Sequence, residues 1–327
     1  MQKNMKKYLI TGYSGFVSRH FLGYLDKNDA YASIKGLDIQ KPEFSQSPYK
    51  NIRLDFEKIN LLDQNRVESI IFNFQPDYIV HLASYSSVAF SWKEPILSFQ
   101  NNMNIYLNLL ESVRKLGQPV RILSIGSSEE YGNVGEKSLP LTEDHIPRPV
   151  SPYAVARVSQ EMISKVYVDG YGLDIIMTRS FNHIGPFQKD IFVISSFAKQ
   201  LVEIKKSGNS SGELVTGDTS IVRDFTDVRD VVMAYDLLLK KGKTGEIYNV
   251  CSGKGTSLKN IIRIMAEELT LNINPRVSNQ LVRPDDNKII IGSNEKIKRE
   301  VGWDTTISLE QSLVDIINSW CKDDPVR

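Results

Sequence analysis

A tyrosine and an arginine stand four positions apart in the segment SPYAVAR, residues 151–157. Ser151 suits a helix N-cap and Pro152 suits the first helical position, so the segment predicts the start of a helix. The i,i+4 spacing then places Tyr153 and Arg157 on one face of that helix. A phenol held beside a permanent cation is a candidate for proton transfer. The simpler alternative is an aromatic–cation contact on a helix surface.

A glycine-containing turn lies close to the N-terminus, in ITGYSGFVSRHF, residues 10–21. Gly12 and Gly15 stand between a predicted strand and a predicted helix, where a tight turn lets backbone amides approach a pyrophosphate. The third glycine of the usual pattern is replaced by Ser18, which is small enough for close packing of helix against strand. Taken alone, the segment is also compatible with an ordinary strand-to-helix turn.

Further candidate ligand-binding residues follow the next buried strands of the pattern. A carboxylate at Asp38 can accept hydrogen bonds from an adenosine ribose and would repel a 2′-phosphate, which favours NAD over NADP. Open α/β sheets bind ligands at the edge where parallel strands end. The residues expected at these strand ends are Asp38, Asp55 with Phe56, the segment HLAS (81–84), and Ser127 followed by Glu129.

The elements that position these residues alternate in type. Short runs rich in Ile, Val and Leu are separated by helix-period segments, which predicts an α/β fold with a Rossmann-type, doubly wound parallel sheet. After about residue 181, loops rich in Gly, Asn, Ser and Pro predict a smaller, mostly α unit. We expect residues 1–180, with about 225–251, to form the dinucleotide-binding domain. Residues 181–224 and 252–327 are expected to form the second domain.

Composition excludes several classes of protein. The 327 residues are 41% apolar and 24% charged, as in a soluble globular protein, and the formal net charge is +1. Lys and Arg are scattered, so we expect neither a nucleic-acid nor a membrane partner. Cys251 and Cys321 show no metal-binding or disulfide pattern. We therefore expect no metal. With no signal-peptide core and no long apolar span, we expect a cytoplasmic protein.

Taken together and in order, the motifs resemble the extended short-chain dehydrogenase/reductases that act on nucleotide sugars. The resemblance runs from about residue 7 to about residue 320, and it rests on TGYSGF, HLAS, GSSEEYG, SPYAVAR, TRSFNHIGP, RDFTDV and LVRP. Within that family the chain is most similar to GDP-4-keto-6-deoxy-mannose reductases and their dehydratase relatives. This implies a nucleotide-diphosphate sugar substrate bound by the second domain, a homodimer, and NAD(H) as preferred cofactor with NADP(H) as the alternative.

The resemblance also implies individual roles. Tyr153 would exchange the proton at the sugar oxygen, Ser127 would hydrogen-bond the same oxygen, and Glu129 occupies the position of a base in dehydratases. The cofactor-binding residues implied are Gly12, Ser14, Gly15, Phe16, Val17, Asp38, Asp55, Phe56, Leu82, Ala83, Ser84, Tyr153, Arg157 and His183. The substrate-binding residues implied are Ser86, Glu129, Asn182, Val193, Arg223 and Arg283.

Arg157 departs from the family, which normally has lysine at this position. A cation about 5 Å from the phenol at an effective dielectric of about 20 supplies roughly 3 kcal/mol, so arginine keeps most of the electrostatic assistance. It does not release a proton near neutral pH, so a lysine-type relay is lost. Reduction, in which Tyr153 only donates a proton, is affected least.

The expected activity is NAD(H)-dependent oxidation or reduction at C4 of a nucleotide-linked sugar. A GDP-linked 6-deoxy- or heptose-type sugar is preferred, although Ser196 replaces the residues that relatives place near the base. A 4,6-dehydratase or 4-epimerase that recycles its NAD is the first alternative. A nucleotide-sugar binder without catalysis is the second, because both Ser18 and Arg157 depart from the pattern.

Overall fold

A computed structural model describes residues 5–28, 31–45, 48–281 and 287–322. Within these residues the larger sheet has seven strands in the order β10-β6-β5-β4-β1-β2-β3, and each neighbouring pair is parallel. The strands are β1 (Lys6–Thr11), β2 (Ala32–Asp38), β3 (Arg53–Lys58), β4 (Tyr78–His81), β5 (Arg121–Ser127), β6 (Asp174–Ser180) and β10 (Ile247–Val250). The central strands are buried on both faces, which explains their continuous apolar runs.

Helices cover both faces of this sheet, each over its own apolar core. One face carries α1 (Phe16–Asn28), α7 (Val228–Lys241) and α9 (Glu295–Val301). The other carries α2 (Gln64–Phe74), α4 (Pro95–Leu116) and α5 (Pro152–Tyr171), and the short α3 (Val88–Lys93) leads into α4. The predicted doubly wound α/β fold is therefore confirmed.

Helix α5 begins and ends at the residues whose chemistry suits those positions. The Ser151 hydroxyl accepts a hydrogen bond from the Ala154 amide at 3.1 Å, and Pro152 occupies the first helical position. The helix ends at Gly172, which has a φ of +69° that residues with a Cβ rarely adopt. The predicted start of this helix is thus confirmed, and its first turns carry both Tyr153 and Arg157.

A second, smaller unit has its own core and two small sheets. Strand β9 (Val222–Asp227) lies between β11 (Gly255–Ser257) and β13 (Ile289–Ile290), and it also pairs with β7 (Asn182–Ile184). The remaining elements of this unit are β8 (Ser211–Thr216), β12 (Asn272–Val277), α6 (Val193–Lys206), α8 (Leu258–Glu268) and α10 (Leu309–Cys321).

The division between the two units differs from the expected one near the C-terminus. Helix α7 and strand β10, within residues 228–250, pack in or against the large sheet, whereas residues 225–227 belong to β9 of the second unit. However, α9 and the fully buried Trp303 also pack into the core of the large sheet, and the Trp303 indole donates to the Asp230 carbonyl at 2.9 Å. Residues 252–327 therefore contribute to both cores.

Candidate active site

The glycine turn connects β1 to α1 at the point where the strand order reverses. Gly12 has a φ of +69°, and a Cβ built there would lie 2.7 Å from the Ala83 amide nitrogen. Only glycine fits, because the turn packs against the end of β4. Ser18 is fully buried in α1, and its hydroxyl has no partner among the described residues. The turn leaves the N-terminus of α1 open to an anionic group.

Asp38 ends β2 beside this turn, as expected. One carboxylate oxygen accepts the Ser14 amide at 2.9 Å and the other accepts the Gln40 amide at 3.1 Å. The Ser14 hydroxyl donates to the Gln40 carbonyl at 2.6 Å, which closes the loop around the carboxylate. A negative charge is therefore held next to the glycine turn.

The expected position of Asp55 and Phe56 at a strand end is wrong. Strand β3 continues to Lys58, and the 68% exposed Asp55 carboxylate pairs with Lys35 at 2.8 Å in the middle of the strand. Phe56 stacks on Tyr13 with ring centroids 5.6 Å apart. At the strand end itself, the Ile59 amide donates to the Asp38 carbonyl at 2.8 Å, and the exposed Asn60 follows.

Asn60 is therefore the polar residue that sequence reasoning missed at this edge. Its side-chain oxygen accepts the Leu62 amide at 3.0 Å, and Asp63 caps α2 directly afterwards. The sequence did contain a signal for this strand end. Asp63 is a residue type that favours a helix N-cap, and its position indicates that the preceding strand ends after Phe56, closer to residue 63.

The segment HLAS at the end of β4 lies against the end of β1. The Leu82 amide donates to the Thr11 carbonyl and the Ala83 amide donates to the Thr11 hydroxyl, each at 3.2 Å. The buried Ser84 hydroxyl has no partner among the described residues. Ser86, two residues further on, is exposed. The backbone here is fixed, and the Ser84 hydroxyl is left for a ligand.

Ser127 is the last residue of β5, as predicted. Its hydroxyl accepts the Glu129 amide at 3.2 Å, and its own amide donates to the Glu130 carboxylate at 2.7 Å. The Ser127 hydroxyl also accepts the Glu130 amide, and the reciprocal bonds between Ser127 and Glu130 form a capping box that begins a short 3₁₀ helix over Ser128–Tyr131. Ser127 is thus held by its neighbours along the chain, with Glu129 partly exposed beside it.

Glu130 belongs to a buried charge cluster that sequence reasoning did not identify. Arg179 binds both oxygens of Glu161, at 2.9 and 3.0 Å, and its Nε lies 3.7 Å from Glu130. Burial and the nearby Glu161 charge raise the pKa of Glu130 to about 8. One cation between two carboxyl groups is neutral only when one of them is protonated, and Glu130 is the group that keeps the proton.

Tyr153 and Arg157 lie together under the crevice, and they are 7% and 5% exposed. The guanidinium carbon is 5.2 Å from the tyrosine ring centroid. No described residue hydrogen-bonds the Tyr153 hydroxyl, and no described carboxylate pairs with Arg157. Burial, together with the Arg157 charge, lowers the pKa of His81 to about 3, so this neighbour is neutral. The pair combines a phenol without a protein partner and an uncompensated positive charge.

The predicted residues of the second unit lie at different depths. His183 runs nearly parallel to Phe16, with ring centroids 6.3 Å apart, and burial lowers its pKa. Asn182 is exposed at the start of β7. Arg223 is 8% exposed and donates to the carbonyl of Asn287 at 2.7 Å. Val193 is the exposed first residue of α6, and Arg283 lies outside the described residues.

The crevice has the features that a nicotinamide dinucleotide needs. The turn at Gly12 admits a pyrophosphate, and the Asp38 carboxylate can bind ribose hydroxyls. The Nε of Arg157 and the hydroxyl of Ser84 are buried without a protein partner in the described part of the chain, and ligand oxygens would satisfy them. The residues therefore fit the predicted cofactor.

The described residues contain neither a metal-binding cluster nor a membrane-spanning helix. Across residues 5–28, 31–45, 48–281 and 287–322, no group of three or more His, Cys, Asp or Glu side chains is arranged to hold a metal ion. In that same part of the chain, no helix is both long enough and apolar enough to cross a membrane.

The doubly wound sheet, the glycine turn, and a serine and tyrosine from β5 and α5 define an extended short-chain dehydrogenase/reductase. Residues 9–316 match the family model described as GDP-mannose 4,6 dehydratase. The chain belongs to this family.

Its relatives include reductases, dehydratases and epimerases. The chain is 31% identical to GDP-6-deoxy-D-mannose reductase of Pseudomonas aeruginosa, over 96% of this chain and 97% of that protein. The structure of RMD from Pseudomonas aeruginosa complexed with NADPH matches with a TM-score of 0.82 and 30% identity, covering 98% and 99% of the two chains. The UDP-glucose 4-epimerase of Thermus thermophilus in complex with NAD matches with a TM-score of 0.84 and 26% identity, covering 97% and 100%.

Proposed function

We propose that this chain is an NAD(H)-dependent oxidoreductase that acts at C4 of a nucleotide-linked sugar, preferably a GDP-linked 6-deoxy- or heptose-type sugar. The observation that carries the proposal is the phenol of Tyr153. It has no partner among the described residues, and it lies beside the Arg157 cation in a chain 31% identical to GDP-6-deoxy-D-mannose reductase.

The chain's own residues account for the proton. When bound, the nicotinamide supplies or accepts the hydride. In the reducing direction Tyr153 donates its proton to the C4 oxygen, and the Ser127 hydroxyl hydrogen-bonds the same oxygen. The Arg157 guanidinium carbon lies 5.2 Å from the Tyr153 ring centroid, and a cation about 5 Å from the phenolate oxygen at an effective dielectric of about 20 would stabilise the phenolate by about 3 kcal/mol. Because arginine keeps its proton, Tyr153 is reprotonated by another route, such as solvent.

Residues of the second unit would hold the nucleotide end of the substrate. The exposed Asn182 and the guanidinium groups of Arg223 and Arg283 suit a pyrophosphate, because arginine donates in pairs to phosphate oxygens. Val193, at the start of α6, would lie near the base. The preference for GDP rests on the similarity to the reductase of GDP-6-deoxy-D-mannose.

The Asp38 carboxylate supports NAD(H) as the preferred cofactor. Its charge next to the glycine turn would repel a 2′-phosphate. NADP(H) remains the alternative, since the Pseudomonas aeruginosa structure contains NADPH and the Thermus thermophilus structure contains NAD.

The direct experiment is to incubate the purified chain with NADH and a GDP-linked 4-keto-6-deoxy sugar. We expect the NADH absorbance band to disappear and the 4-hydroxyl sugar to form. Tyr153→Phe should still bind NADH but lose turnover, whereas a nucleotide-sugar binder without catalysis would lose nothing measurable. If wild type neither reduces the ketone with NADH nor oxidises the alcohol with NAD, the proposed function is wrong.

A 4,6-dehydratase or 4-epimerase is the second candidate, and Glu129 is the observation that favours it. This partly exposed carboxylate lies two residues after Ser127, where it could serve as a base toward the sugar. Such an enzyme returns its hydride within one turnover. Conversion of the sugar without added cofactor, and without net change in NADH absorbance, would therefore identify this activity.

We further propose that the chain forms a homodimer through α4 and α5, and that it acts in the cytoplasm. The outer face of these packed helices carries exposed apolar side chains, which a second copy would cover. They are Ile96 and Phe99 of α4 and Val155, Met162 and Val166 of α5, and the exposed Trp92 lies on the preceding α3. The cytoplasmic location is supported by the two free thiols, Cys251 and Cys321.

A further inference from the structure

Arg157 is a buried cation whose charge the described protein does not neutralise. The side chain is 5% exposed, and no described carboxylate forms an ion pair with it. By contrast, the other deeply buried cation of this region, Arg179, binds Glu161 through two bonds. A buried charge is expensive unless its donors are satisfied, so the groups that hold Arg157 decide whether this position is stable.

One nitrogen of the Arg157 guanidinium is hydrogen-bonded to the protein, and both of its acceptors are neutral. Nη1 donates to the Ile125 carbonyl at 2.9 Å and to the Gln160 side-chain oxygen at 2.7 Å. Nε and Nη2 donate to no described residue, and Nε is buried. The guanidinium is thus fixed at one end, while its remaining donors are left for a ligand.

Gln160 is itself tightly held, which makes it a rigid support. It is 2% exposed, and its amide nitrogen donates to the Ser124 hydroxyl at 2.8 Å and to the Ile125 carbonyl at 3.3 Å. Ser124 and Ile125 belong to β5, the strand that ends at Ser127, and Gln160 lies one helical turn after Arg157 on α5. A single side chain therefore joins the strand of the catalytic serine to the helix of the catalytic tyrosine.

We propose that Gln160 is a positioning residue, which fixes the Arg157 guanidinium through a neutral acceptor so that its full charge faces Tyr153 and its free donors face the cofactor. The proposal rests on the proposed function and extends it to a residue outside the reacting groups. A carboxylate in the place of the amide would also fix the guanidinium, but it would cancel the charge that Tyr153 needs. Arginine requires such a support more than lysine does, because its planar donors point in fixed directions.

The groups around Arg157 allow a clean test by pH. His81 on β4 stays neutral, since burial and Arg157 lower its pKa to about 3. Tyr235 on α7 bonds the Ser180 hydroxyl at 2.8 Å, and burial raises its pKa above the usual range. Neither of these two neighbours therefore adds a charge beside Arg157 near neutral pH.

The first test removes the support without changing its size. Gln160→Met keeps the unbranched shape but cannot accept from Nη1, and we expect NADH binding, measured by calorimetry, to weaken about tenfold or more. Gln200→Met is the matched control. Gln200 makes an equivalent two-sided link in the second unit, to the Val215 amide at 2.8 Å and carbonyl at 3.1 Å, and its loss should leave NADH affinity within about twofold. Unchanged affinity in Gln160→Met overturns the proposal.

The second test keeps the support and cancels the charge. In Gln160→Glu the alkaline midpoint of the kcat/KM profile for ketone reduction should move up by about one to two pH units, because the phenolate loses its uncompensated cation. A role in packing alone would not move this midpoint, so an unshifted profile overturns the proposal. Gln160→Glu keeps the side-chain volume and an oxygen that can accept from Arg157 Nη1. It therefore tests the proposal even if Gln160→Met does not fold.

The third test asks whether Gln160 acts through Arg157. In an Arg157→Lys background, the flexible ammonium finds its own acceptors, so adding Gln160→Met should weaken NADH binding less than about threefold. An equal loss in both backgrounds means that Gln160 is structural and overturns the proposal. If wild type binds NADH but converts no sugar, the proposed function fails, while the calorimetric series still decides the role of Gln160. Absence of any NADH binding by wild type overturns both.

Discussion

Replacing Glu130 with glutamine should change the pH dependence of stability while leaving the structure intact. Glu130 accepts the Ser127 amide with one oxygen, and its other oxygen lies buried near Arg179 and Glu161. When protonated, this second oxygen can donate to Glu161. The glutamine amide reproduces both bonds, since its oxygen accepts and its nitrogen donates. Glu130→Gln therefore mimics the protonated native state at every pH.

The sign and size of the expected change in folding stability follow from the raised pKa of Glu130. Burial and Glu161 raise the pKa of Glu130 from 4.5 to about 8, so above pH 4.5 the unfolded chain loses a proton that the folded protein keeps. The stability contributed by this group is complete below pH 4.5 and is lost as pH rises toward 8, at up to about 1.4 kcal/mol per pH unit. Buried histidines such as His20, whose pKa burial lowers to about 4, act in the opposite direction below about pH 6.5. Between pH 6.5 and 8 the Glu130 contribution should therefore fall by about 2 kcal/mol.

The assay is denaturant unfolding of wild type and Glu130→Gln across this window. We expect the free energy of unfolding of wild type to decrease by about 2 kcal/mol relative to that of the variant. Glu130→Ala serves as the contrasting variant, because it leaves the Ser127 amide without its partner and opens a cavity beside Arg179 and Glu161, so it should lose stability at every pH. Parallel pH profiles for wild type and Glu130→Gln would refute the assignment of the proton to Glu130.

Four further variants test the site and the assembly. Arg157→Lys should retain or improve activity, whereas Arg157→Ala should lower kcat/KM by about 100-fold, from about 3 kcal/mol of phenolate stabilisation, and should weaken NADH binding in titrations. Asp38→Asn should raise the NADPH-to-NADH ratio of kcat/KM by about tenfold, measured under matched salt, because the charge that repels a 2′-phosphate is gone. Met162→Glu combined with Val166→Glu should produce a monomer in analytical ultracentrifugation, and an unchanged mass would exclude α5 from the dimer contact.

The sequence predicted correctly those features that depend on residues close together in the chain. The start of α5 at Ser151 and Pro152 depends on capping within one turn, and the fold class depends on the alternation of apolar runs. The strand end at Asp38 was also found, because a turn follows it at once. The end of β3 was misplaced at Phe56, since the polar residues Glu57 and Lys58 continue the strand and pairing with β2 decides where it stops.

The sequence by itself determined the class of fold, the glycine turn, and the order of the residues proposed for catalysis, because each depends on residue type and short-range spacing. The tertiary structure decided what surrounds those residues. In the folded protein Arg157 is buried without a carboxylate partner, and it donates to Gln160 and to the Ile125 carbonyl. Glu130, which accepts the Ser127 amide, is buried together with Arg179 and Glu161. The charge states of buried groups depend on partners brought together by packing, and no spacing along the chain specifies them.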